Sequence, residues 1–246
     1  MKKLSTVQLK WIKNLHSKKG RESEGYYIAE GEKLLNEILV YCRQMIHLVV
    51  CTHENELIVN TIDANQLLLA SPSEFERISL LKSPQGILIV LKMSRFEANS
   101  FDLGTATLVL DNIQDPGNLG TIIRSADWFG IKQLFCSEST VDCYNPKVVQ
   151  ASMGSLFRIQ ISYGHLTDFL SKQTLPIYGA LLEGESCFTH KIQESAILVI
   201  GNEGNGISKE IMTYIQHPIT IPRIGNGESL NVAVASGILL AQWLKS

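Results

Sequence analysis

No run of this 246-residue chain is long and apolar enough to span a bilayer, although 45% of its residues are hydrophobic. Its opening, from Met1 to Lys10, has neither the continuous apolar core nor the small-residue cleavage site of a signal peptide. Cysteine is scarce: Cys42, Cys51, Cys136, Cys143 and Cys187 are odd in number, scattered, and never form a C-x-x-C pair. That spacing argues against a disulfide framework and a zinc site, and implies free thiols in a reducing cytoplasm. The six histidines fall at no ligand spacing, so no metal is expected. Net charge is only −2, so a nucleic-acid partner cannot be argued from the total. There is no internal repeat and no low-complexity segment.

The charge that is present is unevenly spread. Lys2, Lys3, Lys10, Lys13, Lys18, Lys19 and Arg21 all precede the first acidic residue, Glu22. Two readings stand: a solvated helix face, or an arm that contacts phosphates.

Apolar periodicity divides the chain. Leu4, Val7, Trp11, Ile12 and Leu15 share one helical face, with Ser5 or Thr6 as a cap. Lys18 to Glu24 reads as a polar loop. Strands are expected at Tyr26, at Ile46, at Leu67 and over Gly86 to Leu91. Helices follow Gly31 and the cap Ser73. This makes a small α/β domain over residues 1–92, then a linker over 93–105 without a clear period. The rhythm restarts over 106–246. Strands are expected near Leu108, Gln133, Phe157–Ile161, Ile177, Ile197 and Ile219. Helices are expected at Leu119–Phe129, ended by Gly130, and at Pro146–Ser152, Leu166–Ser171 and Asn231–Leu244. The last is apolar almost all round and should be buried. Strands alternating with helices give a mostly parallel sheet covered on both faces.

Three polar loops follow strands in this second half: Asn112 to Gly120, Gly201 to Gly206, and Gly225 to Ser229, the last running straight into Leu230-Asn231. The carboxyl ends of parallel strands are where such a sheet places its ligand. Singly, each loop is weak evidence. Gly201-Asn-Glu-Gly-Asn-Gly206 is neither G-x-G-x-x-G nor a Walker sequence, and a plain strand-to-helix turn explains it equally. Together they place Asn118, Arg124, Glu203, Ser229 and Asn231 at strand ends or in first helical turns.

Those segments carry a resemblance. Asp111 to Gly130, Ile197 to Ser208, and Ile221 to Leu240 are similar, in order, to the three motifs of the SpoU (TrmH-type) RNA ribose 2′-O-methyltransferases of the SPOUT superfamily. Arg21 and Tyr27-Ile-Ala-Glu-Gly31 are similar to the substrate-binding domain that precedes the catalytic one in many rRNA-directed members. The resemblance implies an α/β fold whose C-terminal parallel-sheet domain is tied in a deep trefoil knot, preceded by a small ribosomal-protein-like α/β RNA-binding domain. It implies S-adenosylmethionine held by main-chain groups at Gly201, Ile221 and Leu230, with Ile200 in an apolar slot and Ala180 and Leu181 nearby. It implies an RNA substrate, contacted through Lys18, Lys19, Arg21 and Glu30, and a homodimer. Arg124, Glu203, Asn118, Ser229 and Asn231 take the catalytic positions. A guanidinium is a poor base, so Arg124 is expected to clamp phosphate and stabilise the alkoxide, with Glu203 orienting it.

The expected activity is methyl transfer to a ribose 2′-hydroxyl of structured RNA, foremost large-subunit rRNA. The alternatives are a tRNA 2′-O-methyltransferase and a non-catalytic RNA-binding protein of the same fold. A nucleotide-dependent oxidoreductase is disfavoured, because no G-x-G-x-x-G follows the first strand.

Overall fold

A computed structural model describes residues 2–94, 101, 102 and 104–244. It divides into two compact units, one of residues 1–94 with 144–157, the other of 95–143 with 158–246. Most of the expected linker, residues 95–100 and 103, lies outside the described residues.

In the first unit, β1 (Lys2–Lys3) leads to α1 (Thr6–Asn14). Ser5 caps α1 in a full capping box with Gln8, which satisfies two otherwise orphaned amides. Leu9, Ile12 and Leu15 are buried, but Val7 is 77% exposed, contrary to the expected face. Val7 lies about 140° round the helix from Ile12, on the solvent side. Lys18–Glu24, expected as a loop, is a helix (α2). Ser17 Oγ accepts from the Gly20 amide, and Gly25 ends the helix at φ 75. With no apolar stripe, α2 leaves no periodic signal, and only its caps announce it.

The chain then makes β2 (Tyr26–Glu30), α3 (Glu32–Tyr41), β3 (Ile46–Cys51), β4 (Leu67–Leu69), α4 (Pro72–Ile78) and β5 (Ile87–Lys92). The sheet order is β1-β4-β3-β5-β2, with β5 antiparallel to both neighbours and the other pairs parallel. The cap of α4 is Ser71, paired with Glu74, not Ser73. Leu9, Ile12 and Leu15 pack with Phe75 and Ile78 of α4 against Ile28, Val50, Leu88 and Val90 of the sheet. The helix over Pro146–Ser152, α6 in chain order, packs on β2, and the Tyr144 ring lies tilted against Tyr27 with ring centres 4.4 Å apart.

The second unit is built on β6 (Thr107–Leu110), β7 (Gln133–Ser137), β8 (Gln160–Gly164), β9 (Ile177–Ser186), β10 (Ile197–Ile200) and β11 (His217–Thr220). Its helices are α5 (Pro116–Trp128), α7 (Leu166–Leu170), α8 (Lys209–Met212) and α9 (Val232–Trp243). All six strands are parallel, in the order β11-β9-β10-β6-β7-β8. The strand expected from Phe157 begins at Gln160, because Phe157 closes a 3-10 turn and the ladder with β7 starts at Gln133 opposite Gln160.

The core of one face joins Val109, Phe135, Phe169, Ile177, Ile197, Val199 and Ile211. On α9, Val232, Ala233, Ser236, Leu239, Leu240 and Trp243 are buried while Val234 is exposed, so the helix is not buried all round as expected. The chain leaves β6 towards β7 and β8 on one side, and leaves β10 for β11 on the other. The β6–β10 boundary is therefore a switch point, where loops diverge and leave a crevice.

Candidate active site

The loop after β6 opens on Asn112, a non-glycine residue at φ 59. Asparagine tolerates that left-handed conformation better than most residues. Three contacts hold it. Its amide donates to Ser137 Oγ (2.8 Å), its carbonyl accepts from Asn202 Nδ2 (2.8 Å), and its Oδ1 accepts from Gln114 Nε2 (3.1 Å). Ile113 is tied to the Thr140 hydroxyl and the Val141 amide. Asp115 then caps α5 by accepting from the Asn118 amide at 2.8 Å, with Pro116 in the first turn.

The loop after β10 is narrower. Asn202 and Gly206 pair their backbones in both directions, at 3.0 and 2.9 Å. Asn202 Oδ1 accepts from the Gly204 and Asn205 amides inside the loop. Gly201 is required: a Cβ there would sit 2.2 Å from Gly206 C and 2.3 Å from Ile207 N, both backbone atoms. Asp111, buried at the end of β6, accepts from the Ser208 amide at 2.8 Å and fastens the two loops together.

The third loop runs exposed from Pro222 to Asn231. Asn231 caps α9, its Oδ1 accepting from the Ala233 and Val234 amides. Its Nδ2 donates to Asn118 Oδ1 at 3.0 Å, and Asn118 Nδ2 donates to Glu203 Oε1. Asn231, Asn118 and Glu203 thus form one hydrogen-bonded relay across all three loops, with the Asn118 amide fixed in a single orientation. Glu203 was expected to orient Arg124; here its partner is Asn118. Arg124 lies exposed on α5 with no hydrogen bond or ion pair among the described residues, and Ser229 lies exposed in the third loop.

Most of the expected cofactor residues follow the carboxyl ends of β9, β10 and β11. Val199 of β10 and Pro218 of β11 are both level with Gly179 of β9. Ala180 and Leu181 therefore run on beside Ile200 and Gly201, while Ile221 follows Thr220, which is level with Ser186 at the end of β9. The β9–β11 pairing jumps from Gly179–Pro218 to Glu185–Ile219, so residues 180–184 stand out of that ladder. Ile200 is buried, Ala180, Leu181 and Ile221 are half-buried, and Leu230 is half-exposed. Apolar side chains beside strand-end backbone, with a glycine where a Cβ would collide, suit an aromatic base and its polar sulfonium tail.

The four residues expected to meet RNA divide. Lys18 and Lys19 are exposed. Arg21 is only 2% exposed, and its Nη1 donates to the Leu15 and His16 carbonyls at 3.0 and 2.9 Å, closing the α1–α2 corner. Glu30 is buried and accepts from the Leu80 amide (2.8 Å) and Ser79 Oγ (2.5 Å). Burial pushes its carboxyl above the usual range, against the pull of those two bonds. Both fold the unit, and no pattern along the chain marks their burial. All five cysteines are buried as thiols. Desolvation pushes the Cys42 and Cys51 thiols up to about 11. Sequence reasoning passed over Trp128, which is 83% exposed on α5.

Known protein families match the chain over most of its length. The SpoU rRNA methylase family matches residues 105–241, and an MRM3-like substrate binding domain matches residues 7–89. The chain is 32% identical to the 23S rRNA (guanosine(2553)-2′-O)-methyltransferase RlmP of Bacillus subtilis, over 93% of this chain and 92% of that one. A structure from Porphyromonas gingivalis, assigned to the TrmH family of RNA methyltransferases, is 38% identical and superposes with a TM-score of 0.87 over 98% of both chains. An rRNA methyltransferase from Sinorhizobium meliloti, solved with AdoMet bound, is 26% identical with a TM-score of 0.86, covering 98% of this chain and 95% of that one.

Proposed function

This chain belongs to the SpoU rRNA methylase family, and we infer that it transfers a methyl group from S-adenosylmethionine to a ribose 2′-hydroxyl of ribosomal RNA, in the large subunit. The observation that carries the reading is the Asn231–Asn118–Glu203 relay, which draws three sequence-distant loops together at the start of the helix that carries the solvent-exposed Arg124.

Main-chain groups at Gly201, Ile221 and Leu230 hold S-adenosylmethionine, with Ile200, Ala180 and Leu181 forming the apolar wall. Bound there, it supplies an electrophilic methyl carbon on a sulfonium, which becomes neutral on transfer. The protein aligns the attacking oxygen and excludes other geometries. Arg124 holds the phosphate beside the target ribose and stabilises negative charge growing on the 2′-oxygen. A guanidinium keeps its own protons, so the hydroxyl proton passes to a phosphate oxygen or a water. Glu203 is held by Asn118 through Oε1, which leaves Oε2 facing solvent chemistry and able to accept from a nucleotide hydroxyl or amine. Ser229 and Asn231 position the third loop over the substrate.

Lys18 and Lys19 supply phosphate contacts in the substrate-binding unit, with Arg21 and Glu30 shaping the surface behind them. The division of labour is residues 1–92 for RNA, 93–105 as a linker and 106–246 for chemistry. The trefoil knot belongs to the same reading, over the β9–α9 region. Pulling the unfolded chain by its ends should then give a contour length short of full extension. The protein works in the cytoplasm as a homodimer, and the exposure of Val234 on an otherwise apolar α9 supports the latter. No helix among the described residues is long and apolar enough to cross a membrane.

The test is a map of ribose 2′-O-methylation in rRNA from cells lacking this gene, with wild type or Arg124→Ala restored. One site should vanish and return with wild type alone, the variant losing ~100-fold or more in rate. A map unchanged by deletion sinks the assignment. A site that returns only in tRNA replaces rRNA by tRNA as the substrate.

A further inference from the structure

Two buried hydroxyls grip the loop after β6 from the side away from β10. Ser137, at the end of β7, is 8% exposed, and Thr140, three residues on, is 3% exposed. The β6–β7 ladder ends with Leu110 level with Cys136. Past that point the chain turns at Asn112, and two successive amides need acceptors that a strand would have supplied. Side chains supply them. The Asn112 amide donates to Ser137 Oγ at 2.8 Å, and the Ile113 amide to Thr140 Oγ1 at 3.2 Å. Val141 gives its own amide to the Ile113 carbonyl at 2.8 Å.

The proton count of this pair closes. Thr140 Oγ1 donates to the Leu110 carbonyl at 3.3 Å, which leaves its two lone pairs to accept. They take the Ile113 amide and the Ser137 hydroxyl, 3.0 Å away. Ser137 Oγ accepts in turn from the Asn112 amide and from Ser139 Oγ at 3.0 Å. Each bond fixes the direction of the next, so the pair confines the backbone it grips to a narrow range of positions.

That backbone is the junction of the relay. The Asn112 carbonyl accepts from Asn202, the residue before Glu203. Three residues beyond Asn112, Asp115 caps the helix that carries Asn118 and Arg124. The buried face of α5 seats the helix, and the turn at Asn112 and Ile113 sets where its first residues begin. The loop after β10 has ties of its own, in the Asn202–Gly206 pairing and the Asp111–Ser208 bond. A slack turn would therefore move Asn118 and Arg124 against Glu203 and leave the glycine loop in place.

We propose that Thr140 and Ser137 are positioning residues for methyl transfer, holding Asn112 in its left-handed turn and so setting Asn118 and Arg124 against Glu203. The inference rests on the functional reading above. Both hydroxyls act through Asn112 and take no part in the chemical step. Slack of about 1 Å at reacting groups costs on the order of 100-fold in rate, so a small loosening is enough to measure.

The experiment uses the full-length protein, S-adenosylmethionine, and total rRNA from cells lacking the gene. Absence of methyl transfer by wild type overturns the functional reading itself. Thr140→Val keeps the shape of the side chain but leaves the Ile113 amide and the Ser137 hydroxyl without their acceptor, whereas Thr140→Ser keeps every bond. The expected result is a kcat lowered ~10-fold or more in the valine variant and restored to within about threefold of wild type in the serine variant. Calorimetry should find as many S-adenosylmethionine sites per chain as in wild type, with affinity within about threefold, so the loss is not one of folded protein. Should Thr140→Val fail to fold, Ser137→Ala, which removes the acceptor of the Asn112 amide, is judged by the same readouts. A folded variant lacking either hydroxyl but keeping wild-type kcat overturns the proposal. So does a serine variant as slow as the valine one, which would assign the effect to packing of the threonine methyl. A fall in cofactor affinity equal to the fall in kcat also overturns it, and would make the pair a general support of the fold.

Discussion

Glu30 and His16 set opposite pH slopes on the same unit. Burial raises the Glu30 carboxyl, so as pH rises the unfolded chain gives up this proton before the folded one does. Its contribution to stability is full below the ordinary carboxylate range, falls as pH climbs through the raised value, and is flat above. His16 is the reverse. Its Nε2 lies 2.9 Å from the Ile78 carbonyl, which places the ring proton there, and burial lowers its affinity for a second one. Its contribution is full above the histidine range and is lost as pH drops towards the lowered value. Glu30→Gln keeps an acceptor for the Leu80 amide and gains a donor for Ser79. We expect this variant to be at least as stable as wild type at neutral pH and to lose the carboxylate slope, read by urea unfolding at a series of pH values. A slope unchanged by the substitution would mean that Glu30 is solvated and available to RNA. Of the four residues expected to contact RNA, Lys18 and Lys19 are exposed and Arg21 and Glu30 are buried. Nothing in a linear string distinguishes a cation that closes a helix corner from one that meets phosphate.

Among the elements, the loop after β10 depends most on one position. Gly201 faces the backbone of Gly206 and Ile207, not a side chain that could swing away. Gly201→Ala must open the Asn202–Gly206 pairing and so move Glu203 from Asn118. We expect it to weaken S-adenosylmethionine binding at least ~10-fold by calorimetry and to lower stability by about 1–3 kcal/mol, as overpacking does. Cofactor affinity equal to wild type would remove this loop from the binding site. Elements with a strong apolar period were legible beforehand, and Pro146–Ser152 was placed to the residue. Helix α2 was missed because it buries almost nothing apolar, and β8 was set three residues early because alternation at Phe157 continues without a break into the true strand. The loops were found through resemblance. Their composition alone fits any polar turn.

At the scale of the molecule, the open question is what covers α9. Val234 is 52% exposed and Leu230 49%, on and just before a helix with no charged residue from Val232 to Trp243. If a second copy packs there, the 27.4 kDa chain should sediment near twice that mass, and Val234→Glu should return it to one. Wild type at a single mass would remove the homodimer. The parallel sheet was foreseeable from alternating strands and helices. The relay was not, because which polar side chains meet depends on strand order, and strand order is not written in periodicity.

The Asn231–Asn118 hydrogen bond joins residues 113 positions apart, and Asn231 is also the cap from which the last helix grows. The site therefore has no local existence along the chain: no single loop contains it, and it comes into being only when strand order has carried two distant segments together. Loosening the first turn of α9 would dismantle the relay while leaving the sheet beneath it intact.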